Sequence, residues 1–82
     1  MTLPRQGVVS AFGILVRARR TTAGISQEEL ADRCHLDRTY ISGIERGVRN
    51  PSLTALFALA QGFGITVADL LSSLEQEATR NG

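Results

Sequence analysis

Arginine side chains carry most of the polar chemistry that this 82-residue sequence could perform. All nine of its basic residues are Arg, and none is Lys. A guanidinium presents a planar fork of N–H donors that fits a carboxylate, a phosphate or the O6 and N7 atoms of guanine. The eight acidic residues reduce the formal net charge to +1. Taken alone, this balance argues against a strongly basic nucleic-acid-binding protein.

The distribution of the charges changes that interpretation. Residues 38–51 carry a net charge of +2, and residues 1–26 carry +4. Residues 27–37 and 52–82 carry −3 and −2, respectively. The basic segment 38–51, between two acidic ones, is suited to an anionic partner. Because it holds few arginines, we expect modest non-specific affinity for DNA and a greater reliance on geometry and self-association.

Cys34 and His35 are the only cysteine and the only histidine. One cysteine cannot form a disulfide within the chain, and one cysteine with one histidine cannot make a structural zinc site. No nucleophile–base pair or phosphate-binding loop stands out, so we expect no enzyme, no cofactor and no metal. Cys34 is expected to be a small core residue, and its solitary thiol favours a reducing cytoplasm. No apolar run approaches the ~18 residues of a membrane span, and no signal-peptide pattern is evident.

Apolar residues recur at helical spacing, and no strand-like alternation persists. The pattern predicts an all-α fold of five short helices in one domain over residues 1–82, with a core at about 8–74 and a fraying polar tail at 75–82. The first helix is predicted to begin at Gly7 or Val8. Glycines are expected to end three helices, and polar residues to cap four N-termini. These residues are Gly24, Gly47 and Gly64, and Ser26 (in a capping box with Glu29), Asp37, Ser52 and Thr66.

Two charged residues stand on apolar helix faces. Arg20 is in line with Phe12 and Val16 on the first predicted helix, and Glu45 lies beside Ile44 on the third. A charge in such a position needs an opposite charge nearby, because burial of an uncompensated charge is costly. We therefore predict an ion pair between Arg20 and Glu45 that joins the two helices.

The second and third predicted helices are joined by a three-residue turn, the spacing of a helix-turn-helix. Three stretches around this turn resemble the phage repressor/Cro-type helix-turn-helix domain, and the resemblance covers about residues 9–74. They are Ser-Gln-Glu-Glu-Leu-Ala at 26–31, Leu-Asp-Arg-Thr-Tyr-Ile-Ser-Gly-Ile-Glu-Arg-Gly at 36–47 and Asn-Pro-Ser-Leu at 50–53. The block at 37–47 is also similar to the controller proteins of restriction–modification systems. The resemblance implies a lambda repressor-like fold of five helices.

The resemblance also implies that the third helix enters the major groove of DNA, where its N-terminal residues reach base edges. Carried onto this sequence, the base-reading residues are Arg38, Thr39 and Ser42. The residues expected at the DNA backbone are Gln27, Tyr40, Arg46, Arg49 and Asn50. Arg20 and Glu45 match a structural ion pair of the family.

Two residues of the third helix leave alternatives open. Tyr40 either covers the edge of the helix or donates its hydroxyl to DNA. Gly43 lies in the middle of the helix, where glycine costs about 1 kcal/mol relative to alanine. Its missing side chain either removes one base reader, allows close approach of the backbone, or serves packing against a neighbouring helix.

The fourth predicted helix has an apolar stripe that is wider than one core contact requires. We interpret this stripe and its neighbours as a homodimer surface, with the core of one chain as the alternative. The residues of this predicted surface are Leu59, Phe63, Leu70, Leu71 and Leu74.

The main hypothesis is a homodimeric, sequence-specific transcriptional regulator on a pseudo-palindromic operator in double-stranded DNA. A controller protein of this kind would bind upstream of its own gene and a nuclease gene, with two dimers on adjacent sites and RNA polymerase as a further candidate partner. The alternative is an antitoxin-like or partner-binding helical module in which DNA binding is secondary.

Overall fold

The computed structural model describes residues 3–81, and every regular element in that range is a helix. The predicted all-helical fold is confirmed, and the five predicted helices occur in the predicted order. The helices are α1 (Arg5–Ala23), α2 (Gln27–Cys34), α3 (Arg38–Glu45), α4 (Leu53–Phe63), α5 (Val67–Leu70) and α6 (Leu74–Asn81). The first helix begins two or three residues earlier than predicted, after Pro4, whose carbonyl accepts the Val8 N–H.

Short polar side chains begin three of these helices as predicted. Ser26 Oγ accepts the Glu29 N–H at 3.0 Å, Ser52 Oγ accepts the Ala55 N–H at 3.1 Å, and Thr66 Oγ1 accepts the Asp69 N–H at 3.0 Å. Each bond satisfies a backbone donor that has no partner within its own helix. The capping box predicted at Ser26 is only half formed, because the Glu29 carboxylate pairs with Arg33 at 2.7 Å.

The side-chain cap predicted at Asp37 is wrong. Asp37 occupies the N-cap position of α3, but its carboxylate accepts no capping hydrogen bond. The turn is closed by the backbone instead, because the Leu36 N–H bonds to the Ala31 carbonyl at 2.9 Å. His35 adopts a left-handed conformation (φ 56°) that reverses the chain between α2 and α3.

One core joins α1 to α5, and it is built from aliphatic residues, one aromatic ring and one thiol. The thiol is that of Cys34, which is buried as predicted, and burial raises its pKa. Such a thiol is a packing group rather than a nucleophile. The residues of this core are Phe12, Val16, Leu30, Ala31, Cys34, Ile41, Ile44, Leu59, Ala60 and Leu70.

Two residues of the predicted homodimer surface belong to this core. The exposed fraction is 0% for Leu59 and 3% for Leu70. Their side chains are already buried within one chain, so they offer no surface to a second copy and fit the alternative of a core within one chain. Phe63, Leu71 and Leu74 are partly buried and pack against the core from outside.

The tail that the sequence predicts to fray is helical over its described residues, and residue 82 lies outside them. Residues 74–81 form α6, which lies against α1. Leu74 packs on the core, and Ala78, one turn later, is fully buried. A narrow apolar edge at i, i+4 spacing therefore holds a helix whose remaining residues are polar. The sequence shows little sign of this edge because the tail is mostly polar.

Among the described residues, no single helix is both long and apolar enough to cross a membrane. The segments Leu53–Phe63 and Val67–Arg80 meet the length and composition requirements only together, and they meet at a bend of 93°.

Candidate nucleic-acid interface

An ion pair that is largely shielded from solvent fixes α3 against α1. Arg20 Nε donates to Glu45 Oε2 at 2.7 Å, and a second guanidinium nitrogen donates to Glu45 Oε1 at 3.0 Å. The third donates to the Ile25 carbonyl at 2.9 Å. The side chains of Arg20 and Glu45 are only 16% and 3% exposed. The hydrogen bonds that Arg20 donates to Glu45 raise the pKa of the guanidinium.

Gly13 brings α1 and α3 unusually close. A Cβ atom built on Gly13 would collide with the carbonyl oxygen of Ile44 and lie 2.9 Å from that of Glu45. The missing side chain therefore lets the last turn of α3 rest directly on α1. The sequence pattern alone does not identify this role of Gly13. Its position in the run Phe12-Gly13 on an otherwise apolar helix face was the available signal.

The first turn of α3 is exposed to solvent, whereas its last turn is held against α1. Arg38 and Thr39 are exposed and Ser42 is half-buried, whereas Ile41 and Ile44 point into the core. One helix thus presents a guanidinium and two hydroxyls on its outer side and anchors itself by its inner side. These groups are the donors and acceptors that read base edges in a major groove.

The loop after α3 adds three further exposed polar residues: Arg46, Arg49 and Asn50. Gly47 turns the chain with a left-handed φ of 74°, and its carbonyl accepts the Gln6 side-chain amide at 2.9 Å. We call the set Arg38, Thr39, Ser42, Arg46, Arg49 and Asn50 the recognition surface. It combines the outer side of α3 with the loop that follows it.

Tyr40 performs a structural role that the sequence left open. Its ring is half-buried beside α3, and its hydroxyl accepts the Ser52 N–H at 3.2 Å. The guanidinium carbon of Arg49 lies 5.6 Å from the centre of the ring, within the range of a cation–π contact. Tyr40 therefore joins α3, the loop and the start of α4.

Gln27 has a partner inside the protein that the sequence did not predict. Its side-chain amide donates to Glu45 Oε1 at 3.0 Å, and the residue is half-buried. The start of α2 is thereby tied to the ion pair that supports α3. The contact of Gln27 with a phosphate stays a prediction.

Two apolar side chains on α4 are strongly exposed. Leu53 is 69% exposed and Phe57, one turn later, is 58% exposed. The sequence pattern alone does not place either residue on the outer face of α4. The periodicity of α4 is ambiguous because apolar residues occur on all its sides, so only the structure distinguishes the core side from the free side.

Comparison with known proteins extends this description. A family model described as helix-turn-helix matches residues 16–70. The chain is 44% identical over 63 residues to control protein C.MunI of a Mycoplasma species, covering 77% of this chain and 85% of C.MunI.

Solved structures show the same similarity. The restriction–modification controller protein C.AhdI from Aeromonas hydrophila is 44% identical, with a TM-score of 0.73 over 76% of this chain and 94% of C.AhdI. A second controller protein, C.Esp1396I, was solved as a tetramer in complex with its natural 35 base-pair operator. This chain is 33% identical to it, with a TM-score of 0.79 over 88% of this chain and 95% of that one.

Proposed function

The chain belongs to the helix-turn-helix family, and from this premise we propose that it is a sequence-specific transcriptional regulator of the restriction–modification controller type. The observation that carries the proposal is the recognition surface, which is exposed apart from the half-buried Ser42 and lies on a helix held by the Arg20–Glu45 ion pair. The protein acts where the DNA is, in the cytoplasm. Its target is an operator in double-stranded DNA near the restriction–modification genes, its own gene included.

In this proposal the two parts of the recognition surface divide the work. Arg38 donates two hydrogen bonds to a guanine, and Thr39 and Ser42 contact neighbouring base edges. Arg46, Arg49 and Asn50 contact phosphates and set the register of the helix in the groove. Gln27 contributes at the start of α2, either directly at a phosphate or through Glu45.

Replacing Arg38 by Ala is expected to weaken binding to the preferred duplex by about 1–3 kcal/mol and to relax the preference at one base pair. The preferred duplex is enriched from a random library by the wild-type protein, and binding is measured by fluorescence anisotropy at fixed salt. Affinity for a random duplex of the same length should change much less, because base contacts contribute little there.

Arg17→Ala is the control for this comparison, because Arg17 is an exposed arginine of α1 outside the recognition surface. It should leave the preference between the two duplexes unchanged. An equal loss of affinity for both duplexes in Arg38→Ala would contradict base reading by Arg38.

Self-association is the second part of the proposal, and the C.Esp1396I tetramer on its operator supports it. Two copies related by a two-fold axis would read half-sites about 34–36 Å apart. Of the five residues predicted for the homodimer surface, Phe63, Leu71 and Leu74 remain candidates because part of each side chain reaches the surface. All three follow the recognition surface in the chain and lie on α4 or beyond it.

Replacing Leu74 by Gln is expected to shift the protein from dimer towards monomer in sedimentation velocity, because the change places an amide in an apolar contact. The matched control is Phe57→Gln, since Phe57 is more exposed but lies outside the predicted homodimer surface. Thermal unfolding checks that both variants fold. Dissociation in Phe57→Gln, with an intact dimer in Leu74→Gln, would place the interface on the outer face of α4 instead.

The exposed pair Leu53 and Phe57 favours a second candidate function, an antitoxin-like module that binds a different protein. Large apolar side chains left in solvent at adjacent turns are typical of interaction sites. A wild-type chain that is monomeric and enriches no duplex from a random library would support this second function over the first.

A further inference from the structure

Gly43 stands where a glycine is least expected, in the middle of α3 and buried. A Cβ atom built on it would overlap Cγ of Arg49 and would lie 3.4 Å from Cβ and 3.6 Å from Cδ of the same side chain. The stem of Arg49 thus occupies the volume that a side chain at position 43 would fill. The glycine makes room for a side chain of the following loop rather than for a neighbouring helix.

The backbone of Arg49 cannot retreat from α3 without breaking hydrogen bonds. The carbonyl of Gly43 accepts two of them, from the Val48 N–H at 3.0 Å and the Arg49 N–H at 3.2 Å. A methyl group at position 43 would therefore have to be accommodated by rotation of the Arg49 side chain about its first torsion. That rotation would carry the guanidinium away from its present position.

The far end of Arg49 is held as well. Its guanidinium lies over the ring of Tyr40, which is three residues before Gly43 and so on the same side of α3. The ring itself is fixed by the bond from the Ser52 N–H to its hydroxyl. Arg49 is nevertheless an exposed residue, so its N–H donors remain available to a ligand.

We propose that Gly43 and Tyr40 are positioning residues that hold Arg49 on the outer side of α3 for contact with DNA. The proposal rests on the proposed function. It explains how an arginine of the loop after α3 is held beside that helix for a contact with DNA. A long side chain already held in one orientation loses less conformational freedom on binding, so its contact with DNA is stronger than that of a free arginine. This role differs from the alternatives that the sequence left open for Gly43, because the group packed against the glycine is a side chain of the following loop.

The test replaces Gly43 by Ala and measures both the position of Arg49 and the affinity for DNA. In the free protein, NMR should show loss of the Tyr40 ring-current shift on the side-chain protons of Arg49. Affinity for a duplex enriched by the wild-type protein from a random library should fall roughly tenfold, the size of one charged contact. The thermal midpoint should not fall, because alanine is a better helix former than glycine.

A double-mutant cycle with Arg49→Ala separates positioning from a general effect on the helix. In the Arg49→Ala background, which lacks the atoms that collide, Gly43→Ala should leave DNA affinity unchanged. Gly7→Ala is the control, because a Cβ atom at Gly7 meets only Pro4 atoms at 3.4 Å or more. It should leave both the Arg49 shifts and the affinity as in the wild type.

Three results would overturn the proposal. The first is an unchanged ring-current shift in Gly43→Ala, the second is unchanged affinity, and the third is a loss of affinity that adds fully to that of Arg49→Ala. If Gly43→Ala does not fold, Tyr40→Leu provides the same cycle from the other end of Arg49. If the wild-type protein enriches no duplex, the proposed function fails, while the NMR comparison still decides whether Gly43 positions Arg49.

Discussion

Replacing Glu45 by Ala is expected to lower the free energy of unfolding by about 3–5 kcal/mol. The variant would leave the Arg20 guanidinium largely buried without its carboxylate and would remove an acceptor from the Gln27 amide. A buried charge that loses its partner costs more than the pair contributed, because desolvation is no longer compensated. For a small domain with a total stability of about 5–15 kcal/mol, such a loss is large.

The prediction is checked by denaturant unfolding of Glu45→Ala, with Glu29→Ala as the control. Glu29 pairs with Arg33 on the exposed face of α2, and an exposed pair of this kind contributes about 0.3–0.5 kcal/mol. A loss in Glu45→Ala no greater than that in Glu29→Ala would show that the buried pair is not a support of α3. The double variant Arg20→Met, Glu45→Leu should recover much of the stability, because it removes both charges together.

Replacing Gly13 by Ala is expected to destabilise the protein by about 1–3 kcal/mol, the usual cost of inserting a methyl group into a closely packed site. The added Cβ would collide with the carbonyl of Ile44, which belongs to the backbone of α3 and cannot rotate away. Helix α3 would have to move off α1, and this movement would displace the recognition surface. DNA affinity should therefore fall together with stability.

The sign of the change in the free energy of unfolding shows whether α1 and α3 are in close contact at Gly13. Alanine is intrinsically favoured over glycine inside a helix by about 1 kcal/mol, so Gly13→Ala would stabilise α1 if the crossing were loose. Gly7→Ala in the same helix should show that gain in urea unfolding, because its nearest neighbour lies at ordinary contact distance. A Gly13→Ala variant as stable as the wild type would contradict the close crossing.

Local signals were sufficient to predict much of this fold. Ser26, Ser52 and Thr66 indicate helix starts because a hydroxyl before an apolar run can accept an unpaired N–H of the first turn. The structure confirms all three caps. The Arg20–Glu45 pair could also be predicted, since each charge was out of place on its own helix. The cap residues can be recognised from a single helix, and the ion pair from two opposite charges that each lie on an apolar helix face.

Other features depend on how helices meet, and no local signal specifies that. The sequence does not show that Leu59 and Leu70 are buried, because their helices are apolar on several sides and only packing decides which side faces the core. It does not predict α6 either, because Ala78 is a weak apolar signal without α1 beside it. The roles of Gly13 and Gly43 depend on atoms of Glu45 and Arg49 that approach from elsewhere in the chain.

The position of Tyr40 has a practical consequence for studying the protein. The sequence contains one tyrosine and no tryptophan, and that tyrosine lies beneath Arg49 next to the recognition surface. A fluorinated tyrosine incorporated during expression would thus give a single ¹⁹F resonance from the side of the molecule proposed to meet DNA. Its line shape would follow the opening and closing of the Arg49 contact separately from global unfolding, without a label attached by mutation.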